Sequence, residues 1–255
     1  MAIKLGEEKD QFLAEVHFAG RQDIGKRSNQ EDAYGVVPPF DLGGGRTLLA
    51  LVADGMGGHA AGEVASGLVV QFFVDGFFNV SAVDDGSRMW SGLETANRQI
   101  GRAAEERPEL RGMGSTLIAV LLRDDMVRWI SVGDSPLYLV RGGAVRRLNQ
   151  LHLVGGDPED GAVDPPAKSG VLASAIIGER LFEVDDSPPE RLSPGDLLVA
   201  ASDGLNTLST RDLLEILDGS PDRSAADHAQ ALIQAVSSRH LPTQDNTTVV
   251  VVRWG

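Results

Sequence analysis

An α+β architecture, antiparallel sheets covered by helices, follows from three features of the sequence. Strand-like apolar runs come in blocks. The connections inside those blocks are too short for parallel crossovers, which need a dozen or more residues. Segments of helical period stand between the blocks in pairs, without strict strand–helix alternation. Residues 47–53 form an almost wholly apolar run ending at Asp54-Gly55, the pattern of a buried strand and a turn. Runs at 116–122, 127–132, 137–140 and 144–148 are separated by Arg123-Asp124-Asp125, Gly133-Asp134-Ser135-Pro136 and Gly142-Gly143. Connections that short predict one antiparallel meander. Residues 197–201 and 247–252 are two further buried strands. Helical spacing runs through Val64, Leu68 and Phe72 in 62–78, and through Trp90, Leu93, Ala96, Ile100 and Ala104 in 87–107, which Pro108 ends. Residues 210–217 and 224–238 complete the helices. The stretch 149–179, rich in Gly, Pro and Asp, predicts a long loop or flap within a single domain spanning 1–255.

Composition sets the boundaries. The chain has 255 residues, 42% hydrophobic and 24% charged, with 23 Lys+Arg against 37 Asp+Glu and a net charge of −14. That excludes disordered, collagenous and coiled-coil classes. The acidic balance disfavours nucleic acid and anionic membranes, which bind clustered Lys and Arg. With no cysteine, there is no disulfide framework, thiolate site or cysteine nucleophile. Residues 1–11 lack the long apolar run of a signal peptide, and no stretch approaches the roughly 20 apolar residues of a membrane helix. The expectation is a cytoplasmic protein for which a monomer suffices.

Acidic residues recur where apolar runs end. Asp54, Asp134 and Asp203 follow such runs, Asp245 precedes 246–252, and Glu31-Asp32 precedes 33–37. Strands that share a core deliver their end residues to its edge. Carboxylates gathered there repel one another and are poorly hydrated unless cations compensate. An all-oxygen set with a nearby backbone carbonyl suits Mg²⁺ or Mn²⁺ rather than zinc. A lone Asp-Gly is ordinary turn chemistry, the reading given to Asp85-Gly86, Asp160-Gly161 and Asp218-Gly219.

Gly55-Met-Gly-Gly-His-Ala60 also matches a Gly-x-Gly-x-x-Ala dinucleotide fingerprint, with Asp75 twenty residues beyond Gly55. Asp54 would place a negative charge beside the pyrophosphate, Asp75 ends a segment of helical period, and the strand–helix alternation of a doubly wound sheet is missing. His59 beside a helix start reads as a cap or surface residue unless the site uses it. Arg27 reads as a surface charge unless a phosphate needs its bidentate fork.

Taken together, these blocks resemble the metal-dependent protein phosphatases (PPM, the type 2C serine/threonine phosphatases), most closely the bacterial members. The matching segments are Arg27-Ser-Asn-Gln-Glu31-Asp32, Ala53-Asp54-Gly55-Met-Gly-Gly-His59 with Gly62-Glu63-Val-Ala-Ser66, Gly112-Met-Gly114-Ser-Thr116, Val132-Gly133-Asp134-Ser135, Ser202-Asp203-Gly204-Leu205 and Asp245-Asn246-Thr-Thr-Val-Val. The resemblance implies a four-layer αββα sandwich, two central antiparallel sheets flanked by helix pairs, with two Mn²⁺ or Mg²⁺ ions at one end. It implies that Asp54 bridges both metals, that Gly55 lends its carbonyl oxygen, and that Asp203 and Asp245 are direct ligands. Glu31 and Asp32 hold metal-bound waters, Arg27 binds the substrate phosphate, and Asp134 joins Asp203 at a third, weaker metal. His59 is the general acid for the leaving alkoxide. The implied reaction is hydrolysis of phosphoserine and phosphothreonine in proteins by a metal-bridging hydroxide, with a Ser/Thr kinase or its targets as partners.

Three positions depart from the family pattern: Pro136 after Gly-Asp-Ser, Thr207 where Asp is frequent, and Leu151-His152 in place of Asp-His. Pro136 and Thr207 support a second reading, a catalytically weak phosphatase-like regulatory module that binds metal or a phosphorylated partner.

Overall fold

The structure, a computed structural model, describes residues 16–57, 61–81, 84–155, 171–218 and 223–255. Readings of 1–11, of His59, of Asp160-Gly161 and of Gly219, and residues 156–170 of the 149–179 flap, fall outside the described residues. Along the chain run β1 (Val16–Asp23), β2 (Asp32–Leu42), β3 (Gly45–Met56), α1 (Ala61–Phe78), α2 (Asp85–Glu106), β4 (Gly114–Ser115), β5 (Leu117–Arg123) and β6 (Met126–Val132). They are followed by β7 (Leu137–Arg141), β8 (Ala144–Arg147), β9 (Asp185–Asp186), β10 (Glu190–Arg191), β11 (Leu197–Ala201), α3 (Thr210–Leu217), α4 (Ala225–Ser238) and β12 (Thr247–Trp254). One sheet has the order β10-β6-β5-β3-β2, with β4 on β3 and β9 on β6; the other runs β1-β12-β11-β7-β8. Every pairing is antiparallel.

The four layers follow from period-2 alternation in strands covered on both faces. Leu48, Ala50 and Val52 of β3 join Ile118, Val120, Leu139, Leu198, Ala200, Val250 and Val252 in the core between the sheets. The alternate residues Leu49, Leu51 and Ala53 face α1 and α2 with Phe73, Phe77, Leu93 and Ile100. On the far side, Val199, Ala201, Val249 and Val251 face α3 and α4. A strand buried on both faces reads as a continuous apolar run, which is why these strands are visible in the sequence.

The structure differs from the sequence reading at four points. Residues 116–148 are not one meander. β5 and β6 pair in the larger sheet, whereas β7 and β8 belong to the other, so the chain changes sheet at Gly133–Pro136. Gly133 at φ +104° makes that turn possible, since L side chains rarely adopt this backbone. Asp85-Gly86 is no turn: both residues lie in the first turn of α2, capped by the Asp84 side chain, and Asp85 pairs with Arg123 at 2.8 Å. β1, a half-exposed edge, goes unpredicted, and β2 runs beyond the apolar run 33–37 through Pro38-Pro39, around a bulge between Val37 and Phe40. Finally, α1 is by length and composition apolar enough to cross a membrane, with a mean hydropathy of 1.3. Here it is a core helix, half buried, with Phe73 and Phe77 inaccessible to solvent.

Candidate metal centre

Strand register brings the acidic residues to one end of the sandwich. Asp32, first in β2, lies directly opposite Asp54 near the end of β3. β5 starts and β6 ends at the same edge, Leu117 opposite Val132, and Asp134 follows at the sheet change. In the second sheet Ala201 pairs with Val249, so Asp203, just past β11, and Asp245, just before β12, emerge together. Two hydroxyls join the sheets at this end: Ser202 Oγ and Thr248 Oγ1 each donate to Asp32 Oδ2 at 2.7 Å.

The backbone around Asp54 is fixed from three sides. Its N–H donates to Thr116 Oγ1 at 3.0 Å, and its carbonyl accepts from Ser115 Oγ at 3.0 Å and from the Thr116 N–H at 2.9 Å. Thr116 Oγ1 and Ser135 Oγ, 2.7 Å apart, carry this network to the Asp134 turn. Gly55 donates its N–H to the Glu31 carbonyl at 3.1 Å. A Cβ on Gly55 would lie 2.0 Å from the Gly62 carbonyl oxygen and 2.5 Å from that of Glu31, so only glycine fits. A Cβ on Gly62 would in turn meet both the Gly55 carbonyl oxygen and Glu31 Oε1 at 2.9 Å. Backbone and carboxylate oxygens are thus crowded onto one small cradle.

Electrostatically the cluster lacks positive charge. Burial pushes Asp54 well above the ordinary carboxylate range, and the Asp32, Asp203, Asp134 and Asp245 charges push it further. Asp203 is raised to about 7 by burial and then by Asp134, Asp245 and Asp32. Asp32 is raised to about 6 by burial, against the lowering effect of its two hydroxyl partners. Burial also raises Asp134 and Glu31. Arg27, more than half exposed, is the cation at the rim, and its Nη2 meets Asp245 Oδ2 at 2.5 Å. That contact raises the guanidinium pKa.

Of the sequence-derived site residues, Asp32, Asp54, Gly55, Asp134, Asp203, Asp245, Glu31 and Arg27 are therefore neighbours, whereas His59 lies outside the described residues. Arg27 carries a role that sequence reading did not assign, an ion pair with Asp245. Asp75 sits inside α1 and both sheets are antiparallel, so the dinucleotide reading fails. Sequence reading also gave no role to Ser202, Thr116, Thr248, Gln244 or Asn246, which hold the acids and their loops. The signal available was their adjacency to the acids: most stand inside the same short blocks. The departures have partners too: Thr207 Oγ1 donates to Gln244 Oε1 at 2.8 Å, and His152 Nδ1 accepts the Gly133 N–H at 3.1 Å.

Among the described residues, no three His, Asp or Glu side chains are spaced to ligate one ion at once. The chemistry of the donors nevertheless fits a hard divalent cation: all are oxygens, they repel one another, and a carbonyl oxygen stands in the Gly55–Gly62 cradle. Asp54, Asp203, Asp245 and the Gly55 carbonyl supply such oxygens at this edge.

Fold and site together define the class, an αββα sandwich with an acidic, all-oxygen centre at one end. The family model for protein phosphatase 2C matches residues 19–154. The serine/threonine phosphatase stp of Listeria innocua is 31% identical over 250 residues, covering 93% of this chain and 95% of that protein. The crystal structure of the Mycobacterium tuberculosis serine/threonine phosphatase PstP/Ppp superimposes with a TM-score of 0.76 at 30% identity, covering 94% of this chain and 98% of that one. A PstP catalytic domain described in complex with two manganese ions gives 0.73 at 29% identity, covering 94% and 98%. The chain belongs to the protein phosphatase 2C family.

Proposed function

We propose that this protein is a metal-dependent phosphatase that removes phosphate from phosphoserine and phosphothreonine in proteins. The observation that carries the reading is the poorly hydrated, mutually repelling set Asp32, Asp54, Asp134 and Asp203, with one guanidinium at its rim. Bound Mn²⁺ or Mg²⁺ supplies the missing countercharge and acidifies water, so that a hydroxide-equivalent nucleophile is available near neutral pH. The relatives' names, serine/threonine phosphatase, and the manganese complex of PstP support this assignment.

The chain's own residues then divide the work. Asp54 and Asp32 stand opposite each other across β3 and β2; Ser202 and Thr248 orient the Asp32 carboxylate, and Thr116 fixes the Asp54 backbone, before any ion arrives. Arg27 uses one N–H on Asp245 and keeps others for phosphate oxygens, where a guanidinium fork offsets the charge of the phosphoryl group. By the family resemblance, Asp134 and Asp203, whose charges repel each other, would hold a third, weaker ion. His59 is the proton donor to the departing alkoxide by the family resemblance. The phosphoproteins it acts on are those a Ser/Thr kinase generates.

The assay is hydrolysis of p-nitrophenyl phosphate and of a phosphothreonine peptide with Mn²⁺, with Mg²⁺ and with chelator. Turnover should require metal, and Asp54→Asn should abolish it. Equal turnover in chelator refutes metal dependence, and no turnover of either substrate favours the regulatory-module reading.

A further inference from the structure

Residues 244–246 join the two halves of the centre, and each side chain faces a different way. Gln244 is buried and reaches toward the turn that starts at Asp203: its Nε2 donates to the Gly204 carbonyl at 3.2 Å, and its Oε1 accepts from Thr207 Oγ1 at 2.8 Å. The same Nε2 lies 3.2 Å from Thr247 Oγ1 and 3.3 Å from the Asp245 carbonyl. Asn246, also buried, reaches the opposite way, into the 24–31 loop. Its Nδ2 donates to the carbonyls of Ile24 at 2.9 Å and Asn29 at 3.0 Å, and its Oδ1 accepts the Glu31 N–H at 2.7 Å. Between them stands Asp245, with Oδ1 on the Asn246 N–H at 2.8 Å and Oδ2 on Arg27.

The loop that carries Arg27 is therefore clamped to this segment by several polar contacts. The Lys26 N–H donates to the Gln244 carbonyl at 2.8 Å. Gly25, at φ +62°, packs so closely that a Cβ there would lie 2.3 Å from the Asp245 carbonyl oxygen. A buried amide that satisfies three backbone groups fixes a loop better than exposed ion pairs do, because losing it strands those groups without partners.

We propose that Gln244 and Asn246 are positioning residues with separate duties on either side of Asp245. Gln244 sets the spacing between Asp245 and Asp203, and so tunes cation affinity. Asn246 sets the pose of the Arg27 loop, and so tunes phosphate affinity. Neither is assigned to touch substrate or metal. The inference rests on the metal-phosphatase reading, with Asp203 and Asp245 as ligands and Arg27 as the phosphate contact. Gln244 and Thr207 are a matched pair in this chain, since the Thr207 hydroxyl fills the acceptor side of the Gln244 amide.

Two binding constants test it on the full-length protein: Mn²⁺ by titration calorimetry, and inorganic phosphate by calorimetry at saturating Mn²⁺. Gln244→Ala should weaken Mn²⁺ about 10- to 100-fold, the usual effect of losing a group that orients a ligand, and change phosphate affinity much less. Asn246→Ala should do the reverse, weakening phosphate about tenfold, and should add nothing in an Arg27→Ala background, because coupled residues are not additive. Should either alanine variant fail to fold, Thr207→Val removes only the hydroxyl that orients Gln244, and Asn246→Asp keeps the volume but loses both donated hydrogen bonds. Those variants should show the same split. Equal losses in both constants, or additive effects of Asn246→Ala and Arg27→Ala, overturn the proposal. Asp54→Asn and Arg27→Ala serve as references. If they leave Mn²⁺ and phosphate binding unchanged, the underlying reading fails; if they act and the split is missing, only the division of duties fails.

Discussion

Replacing Asp32 by Asn should stabilise the metal-free protein at high pH and do little at low pH. Asp32 Oδ2 accepts both the Ser202 and Thr248 hydroxyls, and an Asn carbonyl oxygen can accept the same pair. The opposite side of the group faces the Asp54 carboxyl, to which an amide N–H can donate. What the substitution removes is the ionisation of a buried acid. The folded-state pKa of Asp32 is raised to about 6 from an ordinary 3.8. A raised carboxylate pKa means that the penalty is absent below about pH 4, grows as pH rises through the folded value, and is complete above it. Two pKa steps correspond to about 3 kcal/mol. Urea unfolding in chelator, followed by tryptophan fluorescence, should therefore show Asp32→Asn more stable by about 3 kcal/mol at pH 8 and by less than about 1 kcal/mol at pH 4. Added Mn²⁺ should close the gap at pH 8, since countercharge relieves the same penalty in the parent protein. A variant equally stabilised at both pH values, or destabilised at pH 8, would refute the claim that ionisation of this carboxylate opposes folding.

Gly55→Ala should lower stability by about 1–3 kcal/mol, because its Cβ must displace the Gly62 or Glu31 backbone, and turnover should fall with it; a thermal melt together with the p-nitrophenyl phosphate assay checks both. Phe73→Ala, at a site inaccessible to solvent between α1 and the larger sheet, should cost about 3–5 kcal/mol while leaving Mn²⁺ affinity unchanged, as denaturant unfolding and calorimetry would show.

The parts of the fold readable in advance are those whose local pattern repeats their tertiary role. β3, β5, β11 and β12 are buried on both faces and so appear as unbroken apolar runs. α2 shows its period because one face stays wet. β1 escapes notice because an edge strand need only be half apolar, and the far half of β2 because the bulge at Val37–Phe40 breaks its alternation. In the site, acids at run ends are visible because a carboxylate beside six apolar residues is unusual. Ser202, Thr116 and Asn246 are silent, because hydroxyls and amides are common in turns and only their partners reveal a role.

What the sequence determined by itself is the supply: strands buried on both faces, helices in pairs, and a carboxylate at the end of nearly every strand that could reach a shared edge. What the tertiary structure decided is the pairing. The strands of 116–148 divide between two sheets at a turn that the positive φ of Gly133 permits, and that division carries Asp134 to the edge where Asp54 and Asp203 already stand. The same holds for Arg27 and Asp245, 218 residues apart along the chain and in contact at 2.5 Å. Local propensity acts over a few residues, whereas the repulsion, desolvation and hydrogen bonding that define this centre exist only between groups that folding has made neighbours.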